Sequence, residues 1–190
     1  MKPQARILGV DDAPFRFGDE FVPVVGVVVR APNYVEGIIT TRVHVDGDDA
    51  TAVLAETIGR SRYREGLALV LLDGAALGGF NVIDVEELHR DIRVPVATVT
   101  RDRPDITAIE KALRARFQDW EARLDLLRRQ ELIRIETAHK PLYATAAGMT
   151  PDELRSAIRR CTVRGALPEP LRIAHLIATA LVRGESKGKA

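Results

Sequence analysis

The chain has 190 residues, of which 46% are hydrophobic and 29% charged, a composition that supports a folded core and excludes a disordered protein. This length corresponds to one domain, expected over residues 1–183, followed by a flexible tail over residues 184–190. A single cysteine excludes an intramolecular disulfide and a cysteine-rich zinc site. No apolar run has the length of about 18 to 20 residues that a membrane span needs, and acidic residues interrupt the N-terminus before a signal peptide could form. We therefore expect a cytoplasmic protein without a membrane partner.

Charge is distributed unevenly along the sequence. Residues 1–100 contain 10 Lys and Arg against 15 Asp and Glu, whereas residues 101–190 contain 18 against 12, which gives net charges of −5 and +6. An acidic half suits a cation site, and a basic half suits a partner that carries phosphate. On charge alone, acids in loops and Arg residues on solvated helix faces are the simpler explanation.

In chain order, β-branched runs with short connections come first and predict three antiparallel strands, after which helices alternate with apolar strands. A long helix is expected from Ile106 to about Arg129, because apolar residues recur there at steps of three and four. Thr150 to Glu153 has the pattern of a capping box at a helix start. The expected strands, including these first three, cover residues 5–10, 22–30, 37–45, 66–72, 94–100 and 131–138. The other expected helices cover residues 49–60, 82–89 and 168–183.

These elements predict an α/β fold of the ribonuclease H-like kind: a mixed sheet, in which three antiparallel strands are followed by βα units, with helices on both faces. Right-handed crossovers place the strand before Asp73 parallel and adjacent to the first strand. Asp11 and Asp73 are then expected side by side at the carboxyl ends of neighbouring strands, the edge at which open α/β sheets bind ligands.

Acidic residues at three positions are the candidates for chemistry: Asp11 or Asp12, the cluster at residues 46–49, and Asp73. Carboxylate oxygens are the ligands that Mg²⁺ prefers, and two such ions can promote phosphodiester cleavage. Taken singly, each acid has a simpler interpretation, since Asp-Gly pairs are common in turns and Asp49 suits a helix N-cap. As a set at one sheet edge they favour a metal site.

Gly78, Gly79, Phe80 and Asn81 are expected to form a loop at the same edge. The two glycines allow the backbone to approach a ligand closely, and Asn81 suits the N-cap of the following helix. The alternative is a structural turn with Phe80 in the core. Other kinds of site have little support, because the four His residues lack zinc-ligand spacing and neither a P-loop nor a Gly-x-Ser-x-Gly elbow occurs.

Five segments also carry a resemblance to a known family. They are GVDDAPF (9–15), HVDGDDAT (44–51), LLDGAALGGFNVID (71–84), PVATVTRDRPD (95–105) and PEPLRIAHLIA (168–178). They resemble a mainly archaeal family catalogued as domain of unknown function 99, which is considered related to endonuclease V. The similarity covers nearly the whole chain, and GGFNVID and PEPLRIAH are its specific parts.

The more distant similarity to endonuclease V implies a ribonuclease H-like fold and Mg²⁺-dependent cleavage of deaminated nucleic acid. For this chain the corresponding hypothesis is a phosphodiesterase that depends on Mg²⁺ or Mn²⁺ and acts on DNA or RNA. The similarity also implies that Asp11 and Asp73 are catalytic residues and metal ligands. The catalytic Glu of endonuclease V falls on Asp49, a shorter acid, with Asp46 as the alternative. Asp12 is a further alternative metal ligand.

The same resemblance places the basic residue of endonuclease V near Arg101, which together with Arg103 would contact phosphate. Arg cannot shuttle protons at neutral pH. The strand-separating wedge of endonuclease V has no counterpart, and Met149 replaces a His, so specificity for inosine is not expected to carry over. Besides a nuclease, a catalytically lapsed protein that binds nucleic acid or a nucleotide, and a structural or regulatory subunit, remain open hypotheses, since a fold does not fix a function.

Overall fold

The computed structural model describes residues 4–16 and 18–188, which form nine strands and six helices. In chain order these are β1 (Arg6–Asp12), β2 (Phe21–Arg30), β3 (Tyr34–His44), α1 (Ala50–Arg60), β4 (Leu67–Asp73), β5 (Ala76–Leu77), β6 (Asn81–Val82), α2 (Val85–Ile92), β7 (Val96–Thr100), α3 (Ile106–Arg116), α4 (Trp120–Arg128), β8 (Ile133–Ile135), β9 (Leu142–Ala147), α5 (Pro151–Cys161) and α6 (Glu169–Arg183). Among the described residues, no helix is long and apolar enough to cross a membrane.

Seven strands form one mixed sheet in the order β3-β2-β1-β4-β7-β9-β8. The first three strands are antiparallel neighbours, and β4 lies parallel to both β1 and β7. The predicted mixed α/β fold is confirmed, and so is the parallel pairing of β1 with β4. The register places Val10 opposite Leu72. Asp11 and Asp73, the next residue of each strand, therefore lie at the same edge of the sheet.

Helices cover both faces of this sheet, because residues along a buried strand point alternately to opposite sides. On β4, Val70 and Leu72 belong to the core cluster that includes α1 and α2, whereas Leu69 and Leu71 belong to the cluster that includes α5. Each of these four side chains is fully buried, which contributes about 1.5–3 kcal/mol per residue. The two clusters hold the strand ends, and the acids on them, in fixed positions.

The start of α6 lies directly against β1 at Gly9. A Cβ atom on Gly9 would lie 2.3 Å from the carbonyl carbon of Pro170 and 2.6 Å from the backbone nitrogen of Leu171. Only glycine permits this approach of helix to strand. Gly9 therefore sets the distance between α6 and the sheet.

The single helix predicted from Ile106 to Arg129 is wrong, because α3 and α4 are separate helices with a break at Phe117. Phe117 has extended backbone angles, φ −126° and ψ 136°. Its ring packs edge-on against Phe80 and lies 4.4 Å from the guanidinium carbon of Arg123. These contacts require the chain to turn at Phe117. The spacing of apolar residues nevertheless continues through the break, because each of the two helices buries one leucine, Leu113 in α3 and Leu124 in α4.

Other boundaries differ for local reasons. The helix predicted over residues 82–89 begins at Val85, since β5 and β6 form a small hairpin and Asp84 accepts hydrogen bonds from the first turn of α2. The strand predicted over residues 131–138 is only β8, and β9 was not predicted. The capping box at Thr150 is confirmed. In the predicted tail, Gly184 ends α6 with a positive φ, and residues 189–190 lie outside the described residues.

Candidate metal centre

Two strand ends and one helix bring together three side chains of the types that can ligate a metal. Asp11 is the last residue but one of β1, Asp73 ends β4 and His175 lies in α6, and one ligand atom from each falls within 4.8 Å of the other two. The predicted proximity of Asp11 and Asp73 is therefore observed. Asp11 is buried at 5% exposure and Asp73 is half-buried, whereas the side chain of His175 is 45% exposed, so the group has a buried carboxylate and an open side toward solvent.

The position of α6 explains how His175 reaches the strand ends. Pro170 suits the first turn of a helix, and its carbonyl group rests on Gly9. His175 follows just over one turn later and its Nδ1 lies 2.8 Å from Oδ2 of Asp11. The other oxygen of Asp11, Oδ1, accepts a hydrogen bond of 2.9 Å from the backbone N–H of Asp12. Both carboxylate oxygens are thus held in place.

Burial and like charges make this group unfavourable for ionised acids without a cation. Burial, followed by the charges of Asp73 and Asp12, raises the pKa of Asp11 to about 8. Burial also raises the pKa of Asp73, against the opposing charges of Arg101 and His175. A bound divalent cation removes both causes, because it replaces lost hydration and neutralises the repulsion. The electrostatics of the cluster therefore favour metal binding.

Asp12 connects the centre to the glycine loop. It points to the opposite side of β1 from Asp11, and its Oδ2 accepts a hydrogen bond of 2.9 Å from the backbone N–H of Gly78. Gly78 and Gly79 both have positive φ, and a Cβ atom on Gly79 would lie 2.4 Å from Oδ1 of Asp46. The loop lies at the expected edge, where Asp12 fixes it.

The structure does not bring Asp49 or Asp46 into the group formed by Asp11. Asp49 contacts His44, with 2.7 Å between Oδ2 and Nδ1, and accepts a hydrogen bond of 2.6 Å from the side-chain amide of Asn81. Asp46 forms an ion pair with Arg116 and accepts a hydrogen bond from the backbone N–H of Phe80. These protein groups already satisfy both acids.

Asn81 does not cap its own following helix, which corrects that prediction. It lies in β6, and its side-chain oxygen accepts a hydrogen bond of 2.9 Å from the backbone N–H of Ala50, the first residue of α1. The residue that caps α2 is Asp84. Asn81 is fully buried, and its side-chain amide connects β6 both to the first residue of α1 and to the carboxylate of Asp49.

The two arginines predicted to contact phosphate follow β7. Arg101 is close enough to the acids for its positive charge to lower the pKa of both Asp11 and Asp73. Arg103 is exposed and lines a cavity that also contains Ala75 and Ala76, which follow Asp73 closely. Of the two arginines, Arg101 is therefore the one whose charge reaches the acids of the cluster.

His175 is the member of the group that sequence reasoning missed. It has no other His at a ligand-like spacing, and it lies 164 residues from Asp11. Its position in PEPLRIAH, a specific segment of the family resemblance, was the available signal.

Comparison with known families decides the relationship. The profile of the family described as endonuclease dU matches residues 3–182. The chain belongs to the endonuclease dU family. The chain is also similar to the UPF0215 protein of Methanothermobacter thermautotrophicus, which is 44% identical over 191 residues that cover 100% of this chain and 94% of the relative. A UPF0215 protein of Thermococcus sibiricus is 41% identical, with 98% and 97% covered. The predicted archaeal family related to endonuclease V is confirmed.

Three solved structures have folds similar to that of this member of the endonuclease dU family. A protein of unknown function from Archaeoglobus fulgidus is 36% identical, with a TM-score of 0.85 over 94% of this chain and 99% of that one. The catalytic domain of human endonuclease V has a TM-score of 0.60 at 15% identity, over 95% of this chain and 83% of that one. Endonuclease V of Ciona intestinalis, bound to DNA containing inosine, has a TM-score of 0.56 at 15% identity, over 90% and 82%. The two endonuclease V structures share the fold.

Proposed function

We propose that this protein is an endonuclease that hydrolyses phosphodiester bonds in nucleic acid, with a divalent cation held by Asp11, Asp73 and His175. The observation that carries the proposal is the convergence of these three ligand atoms within 4.8 Å at the carboxyl edge of the sheet. The fold shared with endonuclease V supports it. We infer on the same grounds that the arrangement of strands and helices is ribonuclease H-like.

The ligand atoms of Asp11, Asp73 and His175 indicate which cation fits the site. Two carboxylates suit Mg²⁺ and Mn²⁺, whereas an imidazole is a poor ligand for Mg²⁺, which prefers oxygen. The mixed set therefore fits Mn²⁺ better, with Mg²⁺ as the alternative. When bound, such an ion polarises a phosphoryl oxygen and makes water acidic enough to act as a nucleophile.

The surrounding residues position the centre and the substrate. The hydrogen bond from Asp12 N–H orients the carboxylate of Asp11, and the side chain of Asp12 holds the Gly78 backbone on the other side of β1. Arg101 supplies positive charge to a phosphate at this edge, where charge-assisted hydrogen bonds are strong. Because its guanidinium stays protonated, Arg101 contributes binding and charge rather than proton transfer.

For the substrate, the family name supports DNA that contains deoxyuridine. The test is cleavage of matched strands of DNA and RNA, with and without a single uracil, in the presence of Mn²⁺, Mg²⁺ or a chelator. Cleavage that needs a divalent cation is the expected result, and cleavage that persists with chelator contradicts the proposal.

A second candidate, a nucleic-acid-binding protein that has lost activity, has one observation in its favour. Asp49, the position matched to the catalytic Glu of endonuclease V, is paired with His44 and Asn81 instead of joining the cluster. This leaves the centre with fewer carboxylates than the resemblance implies. Metal binding by the wild-type protein without cleavage of any strand would favour this candidate.

Replacing Asp49 by Ala tests its role directly. Because Asp49 satisfies His44 and Asn81, the variant is expected to lower the free energy of unfolding by about 1–3 kcal/mol. Mn²⁺ affinity, measured by calorimetric titration, should remain close to that of the wild type, while Asp11→Ala should lose most of it. Equal losses of Mn²⁺ affinity in the two variants would instead place Asp49 among the ligands when the ion binds.

The raised pKa of Asp11 predicts a pH dependence for the metal-free protein. The unfolded chain releases this proton near pH 4, whereas the folded protein keeps it until about pH 8. The folded state thus binds more protons between these values, so the contribution of Asp11 to the free energy of unfolding falls as pH rises from about 4 to 8. Denaturant titrations with chelator should show a steeper fall in the wild type than in Asp11→Asn. Mn²⁺ affinity should rise over the same range, because binding displaces the proton.

A further inference from the structure

A cavity of about 640 Å³ lies at the same edge of the sheet as the metal centre, but on the opposite face of the sheet from Asp11 and Asp73, where residues of α3 and α4 line it. Its volume is within the range of about 300–1,000 Å³ that is common for ligand pockets. Ala75 and Ala76 form part of its wall. The Cα atom of Ala75 lies within about 8 Å of that of Asp73, since only two peptide units separate them. Thr98, which lines the cavity, precedes Val99, the residue paired with Asp73, so a nucleotide whose phosphate lies at the centre can extend its base over the edge of the sheet into this cavity.

The walls of the cavity suit a flat aromatic ligand. Phe80 and Tyr143 contribute rings, and the other apolar lining residues include Val82, Ile109 and Leu127. Nucleobases turned out of a strand are held in this way, by stacking on aromatic side chains and by apolar contact. Arg103 lies at the cavity, where its charge suits the phosphates of the same strand.

A chain of hydrogen bonds gives the base of the cavity a defined polarity. Thr145 donates its only hydroxyl proton to Oε1 of Gln130, at 2.8 Å, so at the Thr98 contact, also 2.8 Å, Thr98 is the donor. Thr98 keeps lone pairs that can accept. Gln130 donates one amide proton to the backbone oxygen of Ile83, at 3.4 Å, and has a second one to offer. At this position the cavity thus presents the Thr98 hydroxyl as an acceptor and the Gln130 amide as a donor.

We propose that this cavity receives an unstacked nucleobase, next to the bond to be cleaved, and reads an edge on which an N–H lies beside a carbonyl. Uracil has that edge, whereas cytosine has a ring acceptor beside an amino group. The hydroxyl of Thr98 accepts from the base N–H, and the amide of Gln130 donates to its carbonyl oxygen. The inference rests on the proposed nuclease function, to which it adds the site of base recognition.

The test measures binding to short DNA strands by fluorescence anisotropy, without added metal so that no strand is cut. The strands carry a single uracil, a cytosine or an abasic site at the same position. We expect the wild type to bind the uracil strand about 10- to 100-fold more tightly than the abasic strand. Ile109→Trp fills the cavity and should remove this difference. Ala115→Trp, on an exposed position of the same helix, should keep it.

A second pair of variants tests the polar base without relying on a bulky side chain. Thr98→Val keeps the shape of the side chain but lacks its hydroxyl, and should reduce the preference for uracil over cytosine by about ten-fold. Thr41→Val, on the edge strand β3, should leave that preference unchanged. If Ile109→Trp does not fold, this pair decides the question.

The outcomes separate this inference from the proposed function. Both Ile109→Trp and Thr98→Val should bind Mn²⁺ as the wild type does, because neither residue is a ligand. Preference for uracil that depends on Thr98, in a protein that neither binds Mn²⁺ nor cleaves, would support the base site and overturn the nuclease. Metal-dependent cleavage with equal binding of the uracil and abasic strands, or preference that survives Ile109→Trp, would overturn the base site alone.

Discussion

Replacing Asp73 by Asn is expected to reduce metal-dependent cleavage by about 10³-fold while the protein stays folded. Asn keeps the shape of the side chain but lacks the charge that holds a cation. Burial raises the pKa of Asp73, so the metal-free protein should lose no stability, and relief of repulsion with Asp11 should raise it. Cleavage of a uracil-containing strand and thermal unfolding, each with and without Mn²⁺, measure the two effects.

Asp48→Asn is the matched control, because Asp48 is an exposed acid in the turn before α1 and lies outside the cluster. It should leave cleavage and Mn²⁺-dependent stabilisation unchanged. A different pattern would contradict the proposed role of Asp73: lower stability of Asp73→Asn, with full activity for each folded molecule, would show that its carboxylate serves the turn rather than a metal.

Gly9→Ala is expected to lower both the stability and the metal affinity of the protein. The added methyl group would meet backbone atoms of Pro170 and Leu171 at 2.3–2.6 Å, and a helix backbone cannot move aside as a flexible side chain can. We expect a loss of about 2–4 kcal/mol in the free energy of unfolding. Since α6 must shift, His175 should also move from Asp11, and Mn²⁺ affinity should fall by about 10- to 100-fold.

Gly59→Ala provides the comparison for this substitution, since a Cβ atom on Gly59 would meet no atom within 4 Å. In helix α1 it should raise the free energy of unfolding by about 0.5–1 kcal/mol and leave Mn²⁺ affinity unchanged. Denaturant titration and calorimetry measure both variants. If Gly9→Ala unfolds at the denaturant concentration of the wild type, α6 does not depend on close contact with β1.

The proximity of Asp11 and Asp73 could be predicted because it depends on local rules. Apolar runs mark β1 and β4, and the connection through α1 returns the chain so that the two strands pair in parallel and their carboxyl ends meet at one edge. The loop from Gly78 follows from the same reasoning, since it comes soon after β4. Topology was thus sufficient to place two of the three members of the cluster.

The third member, and the true contacts of Asp49, could not be predicted in this way. The direction in which His175 points depends on where α6 rests, and this is set by the missing side chain at Gly9. Asp49 is turned toward His44 and Asn81 by hydrogen bonds that exist only in the folded chain. Pattern reasoning gives the order of elements along the chain, but such contacts join elements that are distant in sequence.

The separation of Asp11 and His175 by 164 residues has a consequence for synthesis of the protein. Domains fold as the chain emerges, at about 5–20 residues per second, so the strands that carry Asp11 and Asp73 leave the ribosome seconds before α6. During that interval the acids lack the imidazole, and Gly9 lacks the helix that covers it. A chain still attached to the ribosome therefore lacks the complete group of Asp11, Asp73 and His175 until α6 docks.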